Sequence, residues 1–187
     1  MKTLYDVPAP AKLNLFLHVL GRRDDGYHLL QSVFVPIDWC DTLHFELRAD
    51  GALARHDLAE PLPADDLCLR AARALQQASG TRWGADITVL KRVPSGAGMG
   101  GGSSDAASTL IALNRLWRLG WRRKQLIELG ARLGADVPFF LGTGPAWVEG
   151  IGERLTPIAL PRAAYEGVKP PAHLPTKEIF SSPHLVR

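Results

Sequence analysis

The start of the chain alternates apolar and polar residues, which predicts a β-strand over residues 11–20. Successive side chains of a strand point to opposite faces, so the composition of each face follows from the sequence. One face carries four apolar residues and is expected to pack into the core: Leu13, Leu15, Leu17 and Val19. The other face carries a cation and an amide, Lys12 and Asn14, next to each other. These two polar groups are candidates for chemistry if other motifs support them.

Shorter periodic stretches predict further strands and helices. The predicted strands cover residues 27–36, 42–47, 85–93, 145–149 and 154–158. The predicted helices cover residues 67–78, about 103–117 and 122–133, with a short final helix from Thr176 to Phe180. The expected capping residues are Asp65 or Asp66 with Gly80 or Gly84, then Ser103 or Ser104, and then Gly134. Two helices therefore follow one another after residue 103.

Composition and charge are those of an ordinary globular protein. The 187 residues are 46% hydrophobic and 22% charged, which suffices for one well-buried domain and part of a second. The net charge of +3 is spread along the chain, and its densest clusters, at residues 22–23 and 122–124, are small. Such clusters are typical of solvated faces, so we do not expect a nucleic-acid partner.

The sequence predicts neither a signal peptide nor a membrane span. The N-terminus has no apolar segment of a signal peptide, and no apolar run approaches the ~18 residues of a membrane span. Cys40 and Cys68 have neither a CxxC pattern nor a metal-ligand spacing, so we expect reduced thiols. These features favour a cytoplasmic protein without a membrane partner.

Residues 94–107 read PSGAGMGGGSSDAA and carry the strongest functional signal in the chain. Five of the nine residues from 94 to 102 are glycine, which lets the backbone approach a ligand closely and adopt positive φ. Unhindered N–H groups that lead into a helix N-terminus form a cradle for anions. This glycine loop is therefore predicted to hold phosphate.

Three common phosphate loops do not fit this segment. A Rossmann loop needs a second parallel strand and an acidic residue after its helix, whereas here a second helix follows and position 121 is Trp. A Walker A loop ends in Gly-Lys-Ser/Thr, and this loop has no lysine. A protein-kinase loop joins two strands, and no His-Arg-Asp or Asp-Phe-Gly motif follows. A glycine-rich linker or hairpin stays open as the structural alternative.

The glycine loop resembles the phosphate loop of the GHMP small-molecule kinases, and two other segments share this resemblance. They are PAKLNL at residues 10–15, followed by Gly26-Tyr27-His28, and GADVPFF at residues 134–140. In this order the three motifs resemble the branch that phosphorylates the 2-hydroxyl of 4-diphosphocytidyl-2-C-methyl-D-erythritol in the non-mevalonate isoprenoid pathway. The resemblance extends over about residues 8–180.

The resemblance implies a set of site residues, with ATP and Mg²⁺ as cofactors. Asp136 is implied as the base that activates the acceptor hydroxyl, and Lys12 as its partner. The implied ATP-binding residues are Lys91, Pro94, Ser95, Gly96, Ala97, Gly98, Met99, Gly100, Gly101, Gly102, Ser103 and Ser104. The implied substrate-binding residues are Asn14, Tyr27, His28, Thr176 and Phe180.

Simpler interpretations of these residues stay open at this point. Asp136 could serve only as a helix N-cap, and Lys12 could be an exposed strand-edge residue. Ser103 or Ser104 could ligate Mg²⁺, cap the helix, or do both. Taken alone, Lys91 is typical of a charge at a strand edge.

The resemblance also implies an α+β GHMP kinase fold, whose N-terminal core occurs in ribosomal protein domains as well. Residues 1–158 are expected to form the N-terminal, ATP-binding domain, and residues 159–187 the beginning of an incomplete C-terminal α/β domain. We therefore expect the phosphate and active-site residues to be present in a cleft that is open on one side. Two positions depart from the family pattern: Asp66, where some relatives have Asn near the nucleotide, and Glu166-Gly167, which interrupts a buried strand expected at 163–169.

Other functions stay open beside this one. A GHMP kinase that acts on homoserine, mevalonate or a sugar would need no base-stacking site, so Tyr27, His28 and Phe180 favour the cytidine-linked acceptor. An inactive fragment of the kinase would keep the motifs without turnover. An RNA-binding module would bind RNA with a steep salt dependence. The expected partner is a small-molecule substrate, with no nucleic acid or membrane, and the expected state is a monomer or weak homodimer.

Overall fold

The computed structural model describes residues 2–59, 61–167, 179 and 182. In these ranges the chain forms six strands and four helices, and none of these helices has the length and apolarity that crossing a bilayer requires. In chain order the elements are β1 (Thr3–Arg22), β2 (His28–Arg48), β3 (Leu53–Asp57), α1 (Leu67–Ser79), β4 (Gly84–Leu90), α2 (Gly101–Leu116), α3 (Arg123–Ala131), α4 (Val137–Phe140), β5 (Ala146–Glu149) and β6 (Arg154–Pro157). The three main predicted helices and the last two predicted strands are confirmed to within a few residues.

All six strands belong to one sheet, in the order β3-β4-β2-β5-β6, and β1 pairs with β2. The antiparallel β1–β2 ladder is long, running from Thr3 opposite Glu46 to Arg22 opposite His28. On its other edge β2 holds two more neighbours, because residues 42–48 pair with β4 and residues 32–34 pair with β5. β3 and β4 run parallel and are connected through α1. Because β2 pairs with both β1 and β4, it holds the loop that follows β4 close to β1.

Helices α1 and α2 pack on the sheet and form the main core. Leu43 and Phe45 of β2 and Ile87 of β4 are fully buried in the same apolar cluster as Leu75 of α1 and Leu110 of α2. Full burial of a side chain of this size contributes ~1.5–3 kcal/mol relative to leaving it exposed. This core holds β4 and α2, the two elements that the glycine loop connects.

The ends of α1 confirm two of the predicted capping residues. The Asp66 carboxylate accepts the N–H groups of Cys68 and Leu69 at 3.2 and 3.1 Å. Gly80 adopts a φ of 64° and donates its N–H to the carbonyl of Gln76 at 3.0 Å. Both ends of the helix therefore follow from the local sequence.

The predicted end of α3 is wrong in its details. The helix ends at Ala131, and Arg132 caps it in a right-handed conformation. Leu133 and Gly134 both donate their N–H groups to the carbonyl of Gly130, at 2.9 and 3.3 Å, and Gly134 does so without a positive φ. Gly134 is therefore not the left-handed residue that the prediction required.

The face predicted for β1 is also wrong. Leu15 is 44% exposed and Leu17 is 39% exposed, whereas Lys12 is only 4% exposed. The fully buried positions of β1 are Ala9 and Ala11, which lie under the helices. The ladder shifts its register between Pro10 and Ala11 and again between Asn14 and Leu17, and each such shift resets the alternation of faces. Simple two-residue periodicity therefore fails where β1 leaves the core.

Two strand boundaries differ from the prediction for identifiable reasons. The strands predicted at 27–36 and 42–47 are one continuous strand, β2, because the β1–β2 ladder continues through a register shift after Pro10. β4 ends at Leu90 rather than at residue 93, because Arg92 and Val93 donate their N–H groups to the side chain of Asp41. That side chain replaces a neighbouring strand as the acceptor.

The chain after β6 has no regular structure between residues 158 and 167, and residues 163–167 are exposed. The strand that the family resemblance implies at 163–169 is therefore absent from its described part, which contains Glu166 and Gly167. Residues 168 and 169 lie outside the described residues. Thr176 and Phe180 also lie outside them, and of that predicted final helix only Ile179 is described.

Candidate active site

The glycine loop connects β4 to α2 and contains three left-handed residues. Gly96, Gly98 and Gly100 have φ values of 69°, 70° and 70°, a conformation that other residues adopt only at a cost. Left-handed residues within a turn direct successive N–H groups toward one concave side, which suits an anion. Gly100 is also the N-cap of α2, so the unpaired N–H groups of the first helical turn lie next to the loop.

The predicted serine caps of α2 are wrong. The helix begins at Gly101, so Ser103 and Ser104 lie within its first turn and no side chain caps it. Gly100 takes this place because its left-handed backbone lets the chain turn directly into the helix. Its carbonyl accepts the N–H of Ser104 at 2.9 Å. The two hydroxyl groups are therefore not used as caps.

A cleft of about 320 Å³ lies along the loop. Its lining consists of residues 94–103 together with Leu67, Lys91 and Val93. Ser103 belongs to this lining, whereas Ser104 is fully buried and its Oγ has no hydrogen-bond partner among the described residues. The geometry thus distinguishes the two serines: Ser103 lines the cleft, whereas the side chain of Ser104 is buried beneath it, and a contact of Ser104 with ATP stays a prediction.

Lys12 is a buried cation held by three groups. Its Nζ donates a hydrogen bond of 2.7 Å to Asn14 Oδ1 and lies 3.7 Å from Asp136 Oδ2. It also lies 4.3 Å from the centre of the Phe34 ring, within the range of a cation–π contact. Burial lowers the pKa of Lys12, and the Asp136 carboxylate opposes that change. The interpretation of Lys12 as an exposed strand-edge residue is therefore wrong.

Asp136 precedes the short helix α4, and its carboxylate faces Lys12. Its backbone has φ −84° and ψ −15°, which is already helical, and its side chain makes no capping hydrogen bond. An N-cap needs an extended backbone to turn its side chain back onto the helix. The capping interpretation is therefore wrong, and the carboxylate, with a third of its side chain exposed, is available for other chemistry.

The loop, β1 and α4 meet at Gly100. The N–H of Lys12 donates to the carbonyl of Met99 at 2.9 Å, which joins the backbone of β1 to the loop. A Cβ placed on Gly100 would lie 2.9 Å from the ring of Phe140 in α4 and 3.3 Å from Cγ of Lys12. Only glycine fits in this space without a shift of its neighbours. The backbone of Lys12 is therefore in direct contact with the loop that forms the phosphate cradle.

Lys91 lies at the base of the loop in an ionic cluster that sequence patterns do not indicate. Its Nζ donates to Asp41 Oδ2 and, at 2.6 Å, to Asp105 Oδ2. Although burial disfavours its charge, the two carboxylates together raise the pKa of Lys91. Lys91 also lines the cleft, so it is not the solvent-facing edge charge that its sequence context favours.

The two carboxylates of this cluster are almost inaccessible. Asp41 is fully buried, and its Oδ1 accepts the N–H groups of Arg92 and Val93 at 2.5 and 2.8 Å. Asp105 is 2% exposed, and burial raises its pKa to about 7 although Lys91 opposes the shift. The sequence analysis assigned no role to either residue. Asp41 lies 50 residues before Lys91, so no local pattern connects the two. The position of Asp105 directly after two serines of the loop was the only available signal.

Asp66, which departs from the family pattern, has two structural roles. Beside capping α1, its carboxylate lies 2.6 Å from Nη1 of Arg55, whose side chain is 7% exposed. Arg55 also pairs with Asp57 at 2.7 Å. The oxygens of Asp66 are therefore directed at the helix end and at Arg55.

The predicted acceptor residues lie along the β1–β2 hairpin. Asn14 is bonded to Lys12, whereas Tyr27, 60% exposed, and His28 lie at the far turn. Lys12 is opposite Pro36 in the ladder, so eight residues of β2, about 26 Å of extended chain, separate His28 from that level. Thr176 and Phe180 lie outside the described residues, and their predicted contacts stay predictions.

Comparison with known proteins finds relatives along the whole chain. The profile of the GHMP kinases N terminal domain matches residues 66–144. A 4-diphosphocytidyl-2-C-methyl-D-erythritol kinase of Methylibium petroleiphilum is 69% identical over 187 residues, which cover 100% of this chain and 65% of the relative. A kinase of the same name from Paracidovorax citrulli is 65% identical, with coverage of 100% and 67%. The chain thus spans about two thirds of the length of these curated relatives.

Solved structures give the same result at the level of the fold. The crystal structure of a 4-(cytidine 5'-diphospho)-2C-methyl-D-erythritol kinase matches with a TM-score of 0.73 and 45% identity, over 82% of this chain and 55% of that one. The mevalonate kinase of Methanococcus jannaschii shares the fold alone, with a TM-score of 0.63 and 15% identity over 84% and 55% of the two chains. The predicted α+β GHMP kinase fold is confirmed. On the strength of these matches the chain belongs to the 4-diphosphocytidyl-2-C-methyl-D-erythritol kinases of the GHMP kinase family.

Proposed function

We propose that this chain carries the nucleotide site and the catalytic base of a kinase that transfers the γ-phosphoryl group of ATP to the 2-hydroxyl of 4-diphosphocytidyl-2-C-methyl-D-erythritol. The observation that carries the proposal is the Lys12–Asp136 pair, 3.7 Å apart, whose lysine is joined to the glycine loop by its backbone N–H. Phosphoryl transfer needs a phosphate cradle, an aligned acceptor and a group that takes the hydroxyl proton. The loop supplies the first of these, and Asp136 the last.

Each residue then has a defined part in the reaction. The loop N–H groups and the N-terminus of α2 hold the phosphates of ATP in the cleft. The acceptor oxygen attacks the γ-phosphorus, the bond to the departing ADP oxygen breaks, and Asp136 takes the hydroxyl proton. Lys12, buried beside Asp136, offsets the negative charge around the transferred group, which is most effective in a site with little water. Asn14 holds Lys12 in this position.

The residues present fit an Mg²⁺ ion that the nucleotide itself holds for the most part. Among the described residues no group of three His, Cys, Asp or Glu side chains could hold a metal. Mg²⁺ prefers oxygen ligands, keeps several waters and is often bound through substrate phosphates. We therefore expect the Ser103 hydroxyl, which lines the cleft, to contact the ion. When bound, the ion neutralises phosphate charge.

The choice of acceptor follows from the relatives and from the hairpin. The curated relatives at 65–69% identity are named for this acceptor, whereas the mevalonate kinase shares only the fold. Tyr27 and His28 lie far enough along the hairpin to meet the cytidine end of an extended substrate whose hydroxyl lies at Asp136. Thr176 and Phe180 are proposed to complete this end.

The proposal extends to the arrangement and setting of the chain. Residues 1–158 would form the ATP-binding domain, and residues 159–187 the beginning of the C-terminal domain; β6, the last described strand, ends at Pro157. We propose a cytoplasmic setting for the protein, with a small-molecule substrate, no nucleic-acid partner and a monomeric or weakly dimeric state. Both cysteines are free, with Cys68 buried, as this setting requires.

The test measures ADP release with ATP and Mg²⁺ and each of three acceptors: the cytidine-linked compound, homoserine and mevalonate. The proposal expects turnover with the first acceptor above that with the others, together with MgADP binding measured by calorimetry. Turnover with homoserine or mevalonate alone would contradict the choice of acceptor. MgADP binding without turnover would favour an inactive fragment, and absence of MgADP binding would contradict the nucleotide site.

A further inference from the structure

We propose that Asp41, Lys91 and Asp105 form a clamp that holds the two ends of the glycine loop together and so positions the loop for nucleotide phosphates. We call these three side chains the loop clamp. The inference rests on the proposed function, because a nucleotide is the ligand that the loop would hold. It assigns a positioning role to residues that lie beneath the phosphate site.

The geometry of the clamp joins the start of the loop to its end. At the start, Asp41 Oδ1 accepts the N–H groups of Arg92 and Val93, the residues that lead into the loop. At the end, Asp105 lies just after the first turn of α2 and is bound by Lys91 at 2.6 Å. Lys91 also bonds the other oxygen of Asp41, so one ammonium group connects both carboxylates. Both ends of the loop are thereby anchored to β2, the strand that carries Asp41.

The clamp is almost inaccessible to water, because Asp41 is fully buried and Asp105 is 2% exposed. Asp105 Oδ1 has no hydrogen-bond partner among the described residues, so Asp105 joins the clamp through its other oxygen, which Lys91 binds. Loss of either carboxylate would therefore break the connection between the two ends of the loop.

A purely structural ion cluster would behave differently from a clamp. Buried ion pairs contribute little net stability, since desolvation opposes their attraction, and removing one partner lowers stability wherever the pair lies. A clamp predicts in addition that the backbone of residues 92–104 opens and that nucleotide affinity falls. Opening of the loop backbone and loss of nucleotide affinity are therefore the readouts that distinguish the two roles.

The experiment compares Asp41→Asn and Asp105→Asn with a control variant, Asp86→Asn. Asp86 pairs with Arg48 at 3.1 Å on the same two strands, β2 and β4, and lies five residues before Lys91, about 17 Å along the strand. The control therefore breaks a more exposed ion pair at the other end of the same two strands. Amide hydrogen exchange of residues 92–104 and calorimetric titration with MgADP are measured on each intact chain.

In Asp41→Asn we expect loop amides to exchange at least about tenfold faster than in wild type, and the Kd for MgADP to rise at least about tenfold. Asp86→Asn should match wild type in both measurements. In Asp105→Asn we expect faster exchange of the same loop amides, since this variant weakens the other contact of Lys91.

Loop exchange in Asp41→Asn within about threefold of wild type would overturn the clamp. If Asp41→Asn fails to fold, faster loop exchange in folded Asp105→Asn supports the clamp and unchanged exchange overturns it. A wild-type chain that binds no MgADP would contradict the proposed function instead. The exchange measurement would still decide the clamp, because it needs no nucleotide.

Discussion

Gly98 and Gly100 provide a matched test of how closely the loop packs against α4. Both have a φ of 70°, so an alanine at either position would occupy the same left-handed backbone. Their surroundings differ, since a Cβ at Gly98 would meet no heavy atom within 4 Å, whereas a Cβ at Gly100 would lie 2.9 Å from the Phe140 ring. The variants Gly98→Ala and Gly100→Ala therefore separate backbone strain from steric overlap.

The expected free energies follow from these two terms. Left-handed backbone costs an alanine ~1–2 kcal/mol, and the lower entropy of the unfolded chain offsets ~0.4–1 kcal/mol of this, so Gly98→Ala should lose about 1 kcal/mol of unfolding free energy. Gly100→Ala must also displace Phe140, whose ring packs edge-on against Phe139 at 5.1 Å. Overpacking of this kind costs ~1–3 kcal/mol, so we expect a total loss of about 2–4 kcal/mol.

Urea unfolding without nucleotide, followed by the fluorescence of the five tryptophans, measures both variants. A further pair in a Phe140→Leu background tests the cause, because a shorter side chain should remove most of the extra cost of Gly100→Ala. If Gly98→Ala and Gly100→Ala lose the same unfolding free energy within ~0.5 kcal/mol, the Phe140 ring can move aside at little cost. The tight contact between loop and α4 would then be refuted.

Three further outcomes are expected. Asp136→Asn should lower turnover by well over tenfold, where tenfold corresponds to ~1.4 kcal/mol of activation barrier, and should leave the Kd for MgADP nearly unchanged. Steady-state kinetics and calorimetry measure the two quantities. Turnover within tenfold of wild type would show that Asp136 is not the base. Asp66→Ala removes both the cap of α1 and the partner of Arg55, so it should cost at least ~1–2 kcal/mol of unfolding free energy, whereas the exposed Asp65→Ala should cost under ~0.5 kcal/mol. Equal losses in urea would contradict both roles of Asp66. Burial raises the pKa of Asp105 from 3.8 to about 7, so its stabilising proton is fully bound below about pH 4 and is lost as pH rises through 7. Wild type should therefore lose unfolding free energy relative to Asp105→Asn over that range, and parallel curves would contradict this.

The parts of the site that sequence alone predicted are those set by local chemistry. The phosphate loop follows from a dense run of glycines before a helix, and the structure gives positive φ to Gly96, Gly98 and Gly100. Asp66 and Gly80 cap α1 as expected, because capping depends on a few neighbouring residues. The family resemblance implied that Lys12 and Asp136 act as a pair, and the structure places their side chains 3.7 Å apart.

The parts that sequence did not predict depend on contacts between distant segments. Nothing near Asp41 indicates that it accepts N–H groups 51 and 52 residues away. The burial of Lys12 and the exposure of Leu15 reverse the usual preferences, because the helices cover only part of β1. Local periodicity cannot predict where that cover ends.

The serine caps failed for a different reason. Ser103 and Ser104 are good N-cap residues, yet Gly100 starts the helix three residues earlier because the backbone there is left-handed. The preference of serine for the N-cap position does not decide where this helix begins, because the chain enters the helix through a left-handed turn that glycine alone adopts easily. The error concerns the residues closest to the phosphate site, where the backbone rather than the side chains is expected to meet the ligand.

The hydrogen bond from the Lys12 N–H to the carbonyl of Met99 has an evolutionary consequence. A main-chain bond persists whichever side chain occupies the position, provided that it is not proline. Side chains on the surrounding stretch of β1 can therefore drift toward new acceptors while the nucleotide loop keeps its anchor. Within this one strand, the backbone contact that supports the nucleotide site can thus be conserved while the side chains that would meet the acceptor change.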